Sequence, residues 1–136
     1  MNTQSHTPTS YKNDIELLEA FSAAWNRHDI DALMTFMTDD CVFHTASGDS
    51  ALGNTFEGYE AVREGFQIVW KTYPDVAWLD ANHFVAGDRA VTESTFCATK
   101  PDGSKIEVRM IDMFTLSNGK IKVKNAFRKD RPAIIN

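Results

Sequence analysis

The chain has 136 residues, 43% of them hydrophobic and 24% charged, with a formal net charge of -5. That is enough chain for one domain with a core of its own, and the composition is that of a globular protein rather than a disordered one. The acidic balance argues against nucleic acid or an anionic membrane as partner; the apolar runs fall far short of a membrane span, and the polar start MNTQSHTPTS lacks the apolar segment of a secretory signal.

Residues 1–12 read as a flexible tail, followed by a single domain over 13–136. From Asn13 the pattern becomes helical. Asn13 or Asp14 can cap, and Ile15, Leu18, Phe21, Ser22 and Trp25 fall on one face of a helix over 14–27. A second, short helix is expected over 30–38, ended by Asp39-Asp40. CVFHTA then reads as a strand with Cys41, Phe43 and Thr45 on one face and Val42, His44 and Ala46 on the other. SGDSALGN is a loop, and Thr55–Glu57 a short strand. Gly58 leads into a third helix over 59–72, stopped by Pro74.

Beyond Pro74 the periodicity shortens to two. VAWLDANHFVAG, RAVTESTFCATK, KIEVRMIDMFTL and KIKVKNAFRKD are strand-length segments joined by Gly87-Asp88, Pro101-Asp102-Gly103 and Ser117-Asn118-Gly119, all strong turn formers. Helices followed by an antiparallel meander make an α+β protein, with three N-terminal helices packed against a curved, mostly antiparallel sheet.

The third of these strands carries the most informative residue. On strand parity Asp112 shares its face with Val108, Met110 and Phe114. A carboxylate among such neighbours is costly to bury unless it is paired, hydrogen-bonded or protonated. Asp112 therefore either belongs to a solvent-facing ion pair or serves a cavity. Glu93 shares parity with Val91, Thr95, Cys97 and Thr99, and Arg128 with Lys124 and Ala126. A Glu93–Arg128 or Asp112–Arg128 pair would keep a carboxylate ionised and able to act as a base; an unpaired Asp112 would act as a donor. Trp25, Phe43, Trp70 and Trp78 can line a pocket for a flat or cyclic ligand, or belong to plain core; Trp78 fits a subunit interface equally well. His28, at a helix end, is expected to cap. Cys41 and Cys97 read as small buried hydrophobes in a reducing, cytoplasmic compartment. Neither phosphate loop, metal spacing nor dinucleotide fingerprint is present, so no cofactor or metal is implied.

The runs AFSAAWNRHDIDALMTFMTDDCVFHTASG, FEGYEAVREGF, YPDV and PDGSKIEVRMIDMFTLSNGKI, in this order, resemble the nuclear transport factor 2-like superfamily, and within it the SnoaL-like and ketosteroid-isomerase-like proteins. The resemblance covers about residues 13–130. It implies a cone: three helices inside a strongly curved sheet, a pocket between them, and a homodimer formed through the outer sheet face. Carried over by position, Asp112 falls on the isomerases' donor Asp, but their Tyr falls on Phe21 and their base on Thr45, so steroid isomerisation by that mechanism is not supported. SnoaL-like cyclases pair an acidic residue on a late strand with a nearby His. By that resemblance Asp112 is the principal acid/base and His44 or Glu93 the second group; His83 is a further candidate. The pocket lining is then Phe21, Trp25, Phe43, Thr45, Trp70, Cys97, Met110, Phe114 and Arg128. Regular alternation places Thr45 inward and His44 outward, so His44 serves only if a bulge turns it.

Two functions remain open: an acid/base enzyme acting on a hydrophobic cyclic or carbonyl-bearing metabolite (isomerase, cyclase, dehydratase or hydrolase), or a non-catalytic ligand-binding or assembly protein of the same fold. A second titratable group within reach of Asp112 favours the enzyme. An apolar mouth with a salt-bridged Asp112 favours the binder.

Overall fold

The computed structural model describes residues 7–135. Helices α1 (Thr7–Asn26), α2 (Ile30–Thr35) and α3 (Tyr59–Thr72) combine with strands β1 (Met37–His44), β2 (Thr55–Glu57), β3 (Ala77–Ala86), β4 (Arg89–Thr99), β5 (Lys105–Ser117) and β6 (Lys120–Arg128). The expected tail over 1–12 lies partly outside the described residues. Its remainder is helical, with Pro8 in the first turn of α1, where a missing N–H costs nothing. Helix α3 has the expected bounds. Helix α2 is shorter than expected: the chain extends from Met37, so Asp39 and Asp40 lie exposed within a strand rather than ending a helix.

The six strands form one open sheet in the order β2-β1-β6-β5-β4-β3. All neighbours are antiparallel except β1 and β6, which run parallel. Helix α1 packs on β3 and α3 on β1, so the helices cover one face of the curved sheet. Phe21 stands at the centre of the core, in edge-on contact with Trp25, Phe36, Phe66 and Phe114. A second cluster, built from Val76, Phe96, Ala98, Val108, Met110 and Ala126, lines the sheet towards its other end.

Two irregularities decide which side chains face the helices. In β3 the register with β4 slips between Leu79 and Asn82, where Asp80 has φ 55°. Trp78 faces inward before the slip and His83 after it, while Leu79 and Phe84 face out. In β6 the pairing skips Lys122: Thr115 opposes Val123 and Leu116 opposes Ile121. The extra residue lets Ile121 and Lys124, which regular alternation would put on opposite faces, both turn inward.

Strand β4 corrects one sequence expectation. Its inward residues are Ala90, Thr92, Ser94, Phe96 and Ala98, so Glu93 and Cys97 lie on the outer face. The two faces of β4 have similar polarity, which left the parity undetermined by composition.

Candidate active site

Asp112 lies near the middle of β5, 8% exposed, with its side chain on the concave face as its parity implied. Its direct cross-strand neighbours are Thr92 on β4 and Ala126 on β6. Ala126 is small, which leaves a diagonal path to the next inward residue of β6. Lys124 uses that path: its Nζ donates to Asp112 Oδ1 at 2.9 Å, and the two side chains are only 7% and 11% exposed. The ammonium also lies 5.0 Å from the Trp25 ring centroid, 4.8 Å from Phe43 and 6.0 Å from Phe66. The aromatic faces supply attraction where water is excluded. Neither proposed pairing with Arg128 occurs. Asp112 takes Lys124; both cations stand two residues from Ala126, and the Arg128 guanidinium lies over the Phe96 ring instead. Glu93 pairs with Arg109 at 3.3 Å on the outer surface.

Two adjoining spaces open beside this pair. A deep niche of about 20 Å³, room for about one water, is bounded by Asp112, Lys124, Thr92, Ser94, Phe21, Phe114, Trp25 and Trp78. A larger cavity of about 360 Å³ shares Trp25, Trp78 and Lys124 with the niche and continues past Phe43, Met110, Phe96 and Arg128 to a polar rim at Thr45, Ser47 and Asn54. The structure thus brings Phe21, Trp25, Phe43, Thr45, Met110, Phe114 and Arg128 to the two spaces. Trp78, which the sequence left between pocket and interface, lines both, and its backbone is held by Asn26.

Four expected site residues fall elsewhere. His44 faces away from the cavity and hydrogen-bonds Thr55 Oγ1 at 2.8 Å, because β1 is regular where it would have had to bulge. Glu93 and Cys97 lie on the convex face, Cys97 with its thiol pushed up by burial and by the carboxylates of Glu107 and Asp80. Trp70 packs behind the cavity wall, stacked on His28 at 5.1 Å. His28 itself closes the end of α1 in the left-handed region, φ 56°, and its Nε2 bonds the Val76 carbonyl at 3.0 Å.

The groups that sequence reasoning missed are Lys124 as the partner of Asp112, and Thr92 and Ser94 as niche walls. His83 joins them from β3, its Nδ1 2.8 Å from Thr92 Oγ1. Burial lowers the His83 imidazole below its ordinary range, and Glu19 opposes this. The indole Nε1 of Trp25 is buried and has no acceptor among the described residues.

The fold matches known proteins over most of the chain. The profile of the SnoaL-like domain matches residues 18–123. A candidate polyketide cyclase from Xanthomonas campestris pv. campestris superposes with a TM-score of 0.76 at 19% identity, covering 88% of this chain and 93% of that one. TerC, co-crystallised with polyporic acid, gives 0.74 at 22% identity over 86% and 92% of the two chains. A phenazine biosynthesis-related protein from Pseudomonas aeruginosa gives 0.79 at 15% identity over 95% and 83%. At these identities the likeness is one of fold. No curated protein matches the chain.

Proposed function

Since the chain belongs to the SnoaL-like family, a fold shared with ketosteroid-isomerase-like proteins, we propose that it is a small-molecule enzyme whose acid/base group is Asp112 and whose second group is Lys124. The observation that carries this reading is the Asp112–Lys124 contact of 2.9 Å in a niche that adjoins, at Lys124, a cavity partly walled by aromatic rings. A carbonyl compound bound with its oxygen towards Lys124 presents its α-hydrogen to Asp112. Asp112 takes that proton, the ammonium stabilises the enolate oxygen, and Asp112 returns the proton at another atom or to a leaving group. The aromatic walls exclude water, which strengthens both interactions. Isomerisation, cyclisation and dehydration all begin with this step.

The non-catalytic reading draws on the same contact, since a buried ion pair can be purely structural. The polar mouth of the cavity speaks for the enzyme, and proton exchange separates the two. Cyclic ketones and 1,3-diketones incubated with the protein in D2O should gain deuterium at the α-carbon faster than in buffer. The rate should fall by about two to four decades in Asp112→Asn. No exchange above buffer across such a panel, or equal exchange in the Asn variant, would remove the enzyme reading.

The protein is further proposed to act as a homodimer through the convex sheet face. Leu79, Phe84 and Phe127 are 48%, 59% and 48% exposed there, on strands β3 and β6, and a partner copy would cover them. Sedimentation as a monomer at micromolar concentration would count against it.

A further inference from the structure

The charges on the larger cavity are one-sided. Its lining includes two cations, Lys124 and Arg128, and no carboxylate. Lys124 is committed to Asp112 in the adjoining niche. Arg128 has no ion-pair partner among the described residues: the other paired cations are Arg27, Arg63, Arg109 and Lys122. Its guanidinium lies over the Phe96 ring, with the guanidinium carbon 4.4 Å from the centroid. That contact supports one face of the planar group and leaves its edge, which carries the N–H donors, for a further partner. An arginine held in this way at a half-buried, aromatic-lined site is poorly screened by solvent and suited to a forked contact with a carboxylate.

We infer that Arg128 is a specificity-determining residue for a carboxylate on the substrate, so that the substrate class is a flat or cyclic apolar acid. Its rings fill the space between Phe43, Phe96 and Met110, its carboxylate pairs with Arg128, and its reacting carbonyl end points to Lys124 and Asp112. This rests on the cavity being where the substrate sits. It goes beyond the acid/base reading by fixing the polarity and orientation of what is bound. Asp112 stands opposite Ala126, midway between Lys124 and Arg128 on the same face of β6, so the acid group and the reacting carboxylate are separated by about one strand repeat, roughly 7 Å along the strand. A bicyclic body spans most of that length.

The test uses 2-naphthoate and 2-naphthamide, which have the same shape and differ in charge, titrated calorimetrically into the full-length protein. Wild type should bind the naphthoate at least about tenfold more tightly. Arg128→Met keeps the stem over Phe96 and should abolish the preference while leaving the naphthamide affinity near its wild-type value. Arg128→Lys, which keeps the charge and loses the fork, should retain only part of it. Equal binding of the two probes to wild type would overturn the inference. So would a preference that survives in Arg128→Met and disappears in Lys124→Met. Binding is measured without turnover, so failure of the deuterium-exchange experiment would leave this result standing, and failure here would leave the acid/base assignment intact.

Discussion

Two ion pairs join the middle strands of the sheet on opposite faces. Asp112 and Lys124 meet at 2.9 Å on the concave side, 11% and 7% exposed; Glu93 and Arg109 meet at 3.3 Å on the convex side, 45% and 43% exposed. Both are diagonal contacts between neighbouring strands. The outer pair is solvated, and Arg109 also donates to Thr95 Oγ1. The inner pair has aromatic rings where the outer has water. The same chemistry is therefore a minor surface feature in one place and a potential catalytic device in the other, and desolvation makes the difference.

The sharpest way to break this comparison is Asp112→Asn, which should remove two to four decades of α-proton exchange while the protein remains folded, because Asn keeps the shape and a hydrogen-bonding group but cannot carry the proton. The matching Glu93→Gln should leave exchange unchanged. An equal loss in both would mean that burial is not what separates the pairs. In stability, Lys124→Met leaves a buried carboxylate alone and should cost about 3–5 kcal/mol in urea unfolding. Replacing both partners, Asp112→Leu with Lys124→Met, should recover most of that loss and still abolish exchange. Arg109→Met, on the outer face, should cost no more than about 1 kcal/mol, and less in high salt.

The smallest effect expected comes from His83. Burial lowers its imidazole in the folded state below the ordinary imidazole value, so the unfolded chain holds the proton more tightly. The neutral ring's contribution is complete above that value and declines as the pH falls below it towards the folded value. Unfolding midpoints between pH 7.5 and 5.5 should therefore fall less in His83→Gln than in wild type. A steeper fall in the variant would reverse the sign assigned here.

Much of this contrast was legible in the residues. The face of Asp112 followed from Met110 and Phe114 beside it, and the three helices from their apolar spacing. The partner of Asp112 was harder. Lys124 shares its face with Arg128 and Ala126, and the two cations stand at equal steps from the residue opposite Asp112, so alternation alone does not choose between them. The slip at Lys122 that lets Lys124 turn inward alongside Ile121 has no signal in the alternation itself. The parity of β4 could have been recovered: equal steps on either side of Asp102, the centre of the hairpin turn, reach Thr92 and Asp112, so Asp112 fixes Thr92 inward and Glu93 outward. For His83, the irregularity at Asp80 reversed what strict alternation from Trp78 would give. In β3 and β6 local composition indicated a strand, and one added residue decided its faces.

That irregularity in β3 has a consequence outside the cavity. β3 is the last strand of the sheet, and a free edge of ten residues is a template on which another chain could add a strand. The left-handed turn at Asp80 and the slip after it interrupt that edge partway along, so neither half offers a long, straight row of unpaired amides and carbonyls. Deleting Ala81 would leave Trp78 opposite Phe96 and His83 opposite Thr92 in one regular register and would straighten the edge. Such a chain would be more prone to stack into fibres, so the kink that sets the inner wall also acts as a guard against self-assembly.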